Sequence, residues 1–248
     1  MTRWLLLGFV GFLAILLVRL PAAWFGGQLP GQIHCEGLGG TVWHGDCEGM
    51  SIEQGIPNRA PLRIDALQWT LRPSALLRGR VSADIELLRG DSTAHATVTR
   101  GRGGLLDVRA LKGDLRMDRA LLPPLPAGWQ GVATFEDVTL QLDGSSITEL
   151  AGAAELRGMT DGASGRLGSY RIEFGSQSQS APFKGTLKST DGPLDLQGQL
   201  TVQSDTSWVL EGTVTARPDT PPSLERMLRL LGPADVAGAR PFSIAGDR

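Results

Sequence analysis

Hydrophobic and polar residues alternate along much of the chain, and Gly, Pro, Asn and Asp interrupt the alternation at short intervals. A period of two places successive side chains on opposite faces, so these segments predict β-strands with one buried face. The Ser204-Asp205 pair between the last two segments predicts a hairpin. The alternating segments are 67–71, 81–87, 138–142, 170–174, 194–202 and 208–214.

A different pattern opens the chain, where Trp4 to Leu17 contains no charged and no polar side chain. Counted through to Phe25, with Arg19 extending its guanidinium towards lipid headgroups, the segment reaches the roughly 20 apolar residues of a membrane-spanning helix. We expect residues 1–25 to form a membrane anchor with a short cytoplasmic start, and residues 26–248 to form an exported β-rich domain. The anchor residues are Trp4, Leu5, Leu6, Leu7, Phe9, Val10, Phe12, Leu13, Ile15, Leu16, Leu17 and Val18.

A cleaved secretory signal is the alternative interpretation of this segment, because such signals also combine a short basic start with an apolar core. The possible cleavage sites are poor. A cut after Ala23 places Pro21 where a small residue is needed, and a cut one residue earlier places Leu20 there. Trp24 suits an interfacial anchor. The pattern therefore favours a retained helix.

One amphipathic helix is predicted near the C-terminus, with a cap within residues 221–223 and a stop at Gly232-Pro233. Shorter helical turns are expected at 73–77 and 119–122. Because helices are few, other sheet must cover most of the apolar sheet surface, which predicts a mainly β fold with a curved antiparallel sheet or a sandwich-like domain. A barrel-like curl and an open groove completed by another molecule are the alternatives. The apolar stripe of the helix consists of Leu224, Met227, Leu228 and Leu231.

Glycine recurs in the pattern apolar-x-Gly-x-apolar, at Gly113, Gly198 and Gly212. A glycine on the inward face of a strand lets a neighbouring backbone approach and lets the sheet bend. The same glycines could instead make room for an aliphatic ligand. Curvature is the favoured interpretation.

Composition excludes one class of partner. The formal charge of −2 and the absence of a long basic run argue against a nucleic-acid partner, because phosphate binding needs clustered Lys and Arg. The 33 Gly and 15 Pro residues indicate many turns.

The two cysteines, Cys35 and Cys47, lie close together in the sequence. In an oxidising compartment such a pair most simply forms a disulfide, with free thiols as the alternative. A zinc site with His34 and His44 is disfavoured, because adjacent residues do not easily bind one metal and no CxxC motif is present. His95 is expected to face solvent from a strand.

No pattern in the sequence indicates catalysis. Asp84 and Glu86 lie on one strand face, but they alternate with core residues as any solvated strand face does, and nothing indicates a cleft that would shift their pKa values. The 101–104 segment is glycine-rich but precedes no helix, so it indicates a turn. We expect no enzymatic activity, no catalytic residue, no metal and no cofactor.

Four landmarks, taken in order, resemble the type II secretion system protein N family: 20–24, 39–45, 67–73 and 230–238. The resemblance implies an accessory component of the cell inner membrane, with one transmembrane pass, a cytoplasmic N-terminus and a periplasmic β-rich domain. It implies partners among other type II secretion proteins, in the inner-membrane platform and possibly the outer-membrane secretin, and membrane lipid contacts through the anchor. It supplies no catalytic residue.

Two functions of different classes follow. The first is an interaction protein of the secretion apparatus, which contacts its partners through strand edges or through the Trp- and Pro-bearing loop 122–129. The second is a membrane-tethered carrier of lipid or another hydrophobic ligand, of the AsmA-like type. An apolar sheet face left open favours the carrier, and a face sealed by the C-terminal helix and a second sheet favours the interaction protein.

Overall fold

The computed structural model contains one β-sheet of 13 strands, whose order in space is their order in the chain. Every neighbouring pair is antiparallel. The structure describes residues 2–28, 31–53, 61–118, 121, 128–162, 165–175 and 181–246. The strands are β1 (Ile33–Gly40), β2 (His44–Ile52), β3 (Leu62–Leu71), β4 (Val81–Arg89), β5 (Ser92–Arg100), β6 (Leu106–Met117), β7 (Gln130–Asp143), β8 (Ser146–Asp161), β9 (Gly165–Phe174), β10 (Phe183–Asp191), β11 (Leu194–Val202), β12 (Trp208–Ala216) and β13 (Arg240–Gly246).

The six alternating segments all lie within strands, and β11 and β12 form the predicted hairpin. The prediction of a mainly β fold built on an antiparallel sheet is confirmed, and the described strands form one sheet rather than the two of a sandwich. The reason is topological: each strand pairs with the strands next to it in the chain, so each new hairpin widens the same sheet. Alternation defines one buried face for each strand but does not say whether a second sheet will cover it.

Cross-strand pairing places the apolar side chains of the strands on one side of the sheet. Trp69 pairs with Ile85, which in turn pairs with Ala96, and near the other edge Leu200 pairs with Leu210. We call this side, which continues from β1 to β13, the apolar face. The opposite side carries the polar residues of the alternation and is called the polar face.

Two of the recurring glycines permit a close approach between strands. Gly198 and Gly212 pair directly across β11 and β12. A Cβ at Gly212 would lie 2.2 Å from the carbonyl oxygen of Gln197, and one at Gly198 would lie 2.6 Å from that of Glu211. Neighbouring backbone therefore fills the space beside these glycines. This finding supports the curvature interpretation at both positions.

The helix α3 (Pro222–Arg229) covers the apolar face where it is formed by β8, β9, β11 and β12. Leu224 and Leu228 are buried there, whereas Met227 and Leu231 are exposed, so only half of the predicted apolar stripe contacts the sheet. Buried beneath α3 are Met159, Leu167, Leu194 and Val214, and the cluster is flanked by Trp129, Leu156, Tyr170 and Phe242.

Two further α-helices and a 3₁₀ helix lie at one end of the sheet. The N-terminal α1 (Thr2–Val18) precedes a 3₁₀ helix at Ala22–Gln28, and the short α2 (Pro73–Leu76) joins β3 to β4 where a helical turn was predicted. Within the described part of the chain, no helix has both the length and the apolarity to cross a membrane. The helical turn predicted at 119–122 falls outside the described residues except for Leu121.

Candidate functional site

The apolar face is uncovered at the N-terminal strands, where β1 to β4 and the 3₁₀ helix border a groove of about 480 Å³. This volume lies within the range of about 300–1,000 Å³ of small-molecule ligand sites. In the described part of the chain, no ionisable side chain lines the groove. The aliphatic side chains of its wall include Ile33, Leu38, Met50, Leu67, Leu71 and Ile85.

The indole of Trp69 forms one wall of the groove and is held in place by two features of the β1–β2 hairpin. Its Nε1 donates a hydrogen bond of 3.0 Å to the carbonyl oxygen of Val42. Its ring lies over Gly45, where a Cβ would approach Trp69 Cζ2 to 2.2 Å. Glycine at position 45 is therefore required for this placement of the indole.

The disulfide favoured by the sequence, between Cys35 and Cys47, borders the same groove. It joins β1 to β2 across a sequence separation of 12 residues. Leu38 pairs with Cys47, and Met50 pairs with Cys35, so the disulfide lies among aliphatic side chains. The cross-link holds together the two strands that begin the sheet.

The C-terminal end of α1 is fastened to the turn between β1 and β2, near one end of the groove. Trp43 Nε1 donates a hydrogen bond of 2.8 Å to the carbonyl oxygen of Leu17. The backbone N–H of Val42 donates one of 3.0 Å to the carbonyl oxygen of Leu20. Ala22 is buried and contributes to the wall of the groove. The groove therefore reaches the point where α1 meets the sheet.

A charged network on the polar face lies behind the groove and links β3, β4 and β5. Arg72 donates two hydrogen bonds to Asp84, of 2.8 Å from Nε and 2.7 Å from Nη2, and Thr97 Oγ1 donates a third of 2.8 Å. The hydrogen bond from Arg72 is the main cause that lowers the pKa of the Asp84 carboxyl below its usual value, and Thr97 adds to it. The network fixes the strands that carry the groove.

Two other residues with possible acid–base roles, Glu86 and His95, lie on the polar face, away from the groove. His95 is exposed, as predicted, and its Nδ1 lies 3.9 Å from Oε2 of Glu86. Among the described residues, no group of His, Cys, Asp and Glu could hold a metal ion. The geometry of the groove suits the binding of an apolar chain, because it offers aliphatic contacts and no acid–base group.

The groove was not found from the sequence, because its first two strands lack a clear alternation. Gly37, Gly39 and Gly49 interrupt the apolar positions of β1 and β2. The part of the groove that the sequence did predict lies on β3 and β4, whose apolar residues alternate with polar ones and were expected to lie on one face. The loop 122–127 lies outside the described residues, while Trp129 packs against the cluster under α3.

Comparison with known families identifies the chain. The family model described as type II secretion system (T2SS), protein N, matches residues 31–243. No curated protein and no solved structure matches significantly. The matched range begins just before β1 and ends within β13, so it covers nearly the whole sheet. The chain therefore belongs to the type II secretion system protein N family, and this membership supports an accessory role in secretion.

Proposed function

We propose that this chain is a non-enzymatic accessory component of the type II secretion system, held in the cell inner membrane by its N-terminal segment. Its sheet lies in the periplasm, where it binds other components of the apparatus during export of folded proteins across the outer membrane. The observation that carries the proposal is the family match over residues 31–243. We expect no nucleic-acid partner.

The anchor is supported by the exposure of α1. Trp4, Phe9, Phe12 and Ile15 are all exposed, and exposed apolar side chains such as these need a lipid or protein environment. The 17 residues of α1 extend about 25 Å, and the adjoining 3₁₀ helix exposes Trp24, a residue type favoured at membrane interfaces. This arrangement is consistent with residues 1–25 as the anchor and residues 26–248 as the periplasmic domain.

Partner binding is supported by the two strands at the ends of the sheet order. β1 has a ladder only with β2, and β13 only with β12, among the described residues. Each therefore keeps one edge without a ladder partner, and such an edge can receive a strand from another chain. We assign the contact with the apparatus to β13, because Ser243 and Ala245 are exposed on it.

The test is photocrosslinking in cells, with a photoreactive amino acid at Ser243 and, as the matched control, at Gln199. Both positions are exposed on the polar face, but Gln199 lies on the internal strand β11. We expect adducts with platform or secretin proteins from position 243 and not from position 199. Equal labelling at both positions, together with unchanged secretion after deletion of the gene, would contradict the proposal.

A second candidate function, a membrane-tethered carrier of a hydrophobic ligand of the AsmA-like type, is favoured by the open groove. Its aliphatic lining and its end beside α1 suit the acyl chain of a membrane lipid. The test is native mass spectrometry of the full chain extracted in mild detergent. A bound species of phospholipid mass supports the carrier. A chain free of lipid, also after incubation with phospholipid, opposes it.

A further inference from the structure

Three connections of the sheet come together at the end where α1 is attached. They are the turn 40–44, the connection 72–80 that contains α2, and the connection 101–105. We call this the α1 end of the sheet. Leu71 N–H donates to the carbonyl oxygen of Trp43, and Arg102 lies against Gly79, so the three connections are neighbours.

Several exposed arginines at the α1 end have no side-chain partner among the described residues. Many arginines elsewhere are paired, as Arg89 is with Asp118 at 2.7 Å. Arg63 and Arg116, which also lie elsewhere, likewise have no side-chain partner within the described ranges. In the described part of the chain, five exposed arginines at the α1 end form neither an ion pair nor a side-chain hydrogen bond. These are Arg19, Arg78, Arg80, Arg100 and Arg102.

The connections beside α1 carry a local excess of positive charge. The connections 72–80 and 101–105 contain Arg, and none of the three connections contains Asp or Glu. Acidic residues at the same end of the sheet, Asp143 and Asp205, lie in or beside the β7–β8 and β11–β12 turns, farther along the strand order. A positive potential is therefore local to the connections beside α1.

Exposed apolar side chains accompany the arginines at the α1 end. Leu77 is 91% exposed and Trp24 is 67% exposed, and Leu76 beside Leu77 is also exposed. Leu77 follows α2 directly, between Leu76 and the unpaired Arg78. Basic residues interleaved with exposed leucine and tryptophan suit the headgroup region of an anionic bilayer, where both kinds of side chain gain contacts.

We propose that the α1 end is a membrane-docking surface, which holds the sheet against a bilayer containing anionic phospholipid. Leu77 and Trp24 insert at the interface, and Arg78, Arg80 and Arg102 contact the phosphates. This inference rests on the proposed anchoring by α1, which places the surface beside the membrane. Docking also fixes the orientation of the sheet, with its opposite end directed away from the lipid.

The test uses the full chain reconstituted into vesicles of brominated phosphatidylcholine, with and without phosphatidylglycerol. An environment-sensitive fluorescent amino acid replaces Leu77 or, as the matched control, Leu230, which is 86% exposed beyond the end of α3. We expect quenching by the brominated lipid at position 77, stronger with phosphatidylglycerol, and none at position 230. The double variant Arg78→Glu and Arg80→Glu lowers the ratio of docked to undocked chains by about tenfold or more, because each arginine near an anionic surface contributes on the order of fivefold.

Washing the vesicles with urea separates this inference from the anchor. If the chain shows no quenching at position 77 before the wash but stays in the vesicles after it, the docking surface is overturned and the anchor is retained. Quenching that is equal at positions 77 and 230, or unchanged by the charge reversals, also overturns it. A chain released by the wash overturns the anchor and, with it, the docking surface.

Discussion

The apolar face of this sheet has two halves with different surroundings. Under α3, the side chains of Met159, Leu167 and Val214 are almost fully buried. At β1 to β4, Leu38 and Leu67 are only partly buried and border a groove. The difference lies in the cover, because α3 contributes Leu224 and Leu228 to one half and no described helix lies across the other.

This comparison shows that alternation defines an apolar face without deciding whether that face becomes a core or a binding surface. A covered half gains stability from burial, whereas an uncovered half keeps apolar area available for another molecule. Substitutions should therefore reduce stability in the covered half and alter binding in the groove.

The largest expected effect is the loss of a contact between α3 and the sheet. Leu224→Ala leaves a cavity in a closed cluster and should lower the free energy of unfolding by about 2–5 kcal/mol. The matched change Leu38→Ala, in the groove, should cost less than about 2 kcal/mol, because its side chain is only partly buried. Urea unfolding of the full chain in detergent compares the two, and equal losses would contradict the distinction between the halves.

The next largest effect is expected from removing the disulfide, which lies in the uncovered half. The double variant Cys35→Ser and Cys47→Ser should lower the free energy of unfolding by about 2–4 kcal/mol, because a short loop is no longer closed in the unfolded chain. Unfolding of the parent chain with and without a reductant is the control. If reduction leaves its unfolding midpoint unchanged, the cross-link does not stabilise β1 and β2.

A substitution that fills the groove should separate binding from stability. Ala83→Phe places a ring among the groove residues and should change the free energy of unfolding by less than about 2 kcal/mol, because the groove offers space. We expect phospholipid retention, measured by native mass spectrometry, to fall at least about tenfold, since the ring occupies the volume of several methylene groups. Ala245→Phe, on the exposed edge strand β13, is the control and should retain lipid.

The smallest effect concerns the network behind the groove. Asp84 has a lowered pKa in the folded chain, so its ion pair with Arg72 contributes stability above the pKa of the unfolded chain, and this contribution is lost as the pH falls through the folded pKa. Asp84→Asn should cost about 0.2–1 kcal/mol near neutral pH, because the pair is solvent-exposed. The difference from the parent chain should vanish in acid, and a difference independent of pH would contradict the assignment.

The sequence predicted the individual strands better than their assembly. β11 and β12 were predicted with their hairpin, because Leu196, Leu200 and Val214 recur at period two around a turn. The arrangement of all strands in one sheet could not be predicted, because strands with one apolar face can pair in many ways. α3 was found from its spacing, but the exposure of Met227 depends on how the helix lies on the sheet.

The groove could be predicted only in part. Trp69 and Ile85 belonged to predicted strands, but nothing in the sequence indicated that the indole lies over Gly45, which entered only as part of the landmark 39–45. The side of the groove formed by β1 and β2 depends on an irregular, glycine-rich hairpin, for which period two is a poor guide. The disulfide was the one feature of that hairpin that the sequence favoured.

The most direct test of the difference between the two halves is photocrosslinking in cells from Leu67, in the groove, and from Leu156, beside the cluster under α3. Both leucines lie on the apolar face and are partly buried. Mass spectrometry would then identify the lipid and protein adducts. We predict phospholipid adducts at position 67 and none at position 156. Lipid adducts at both positions, or protein adducts alone at position 67, would contradict the account.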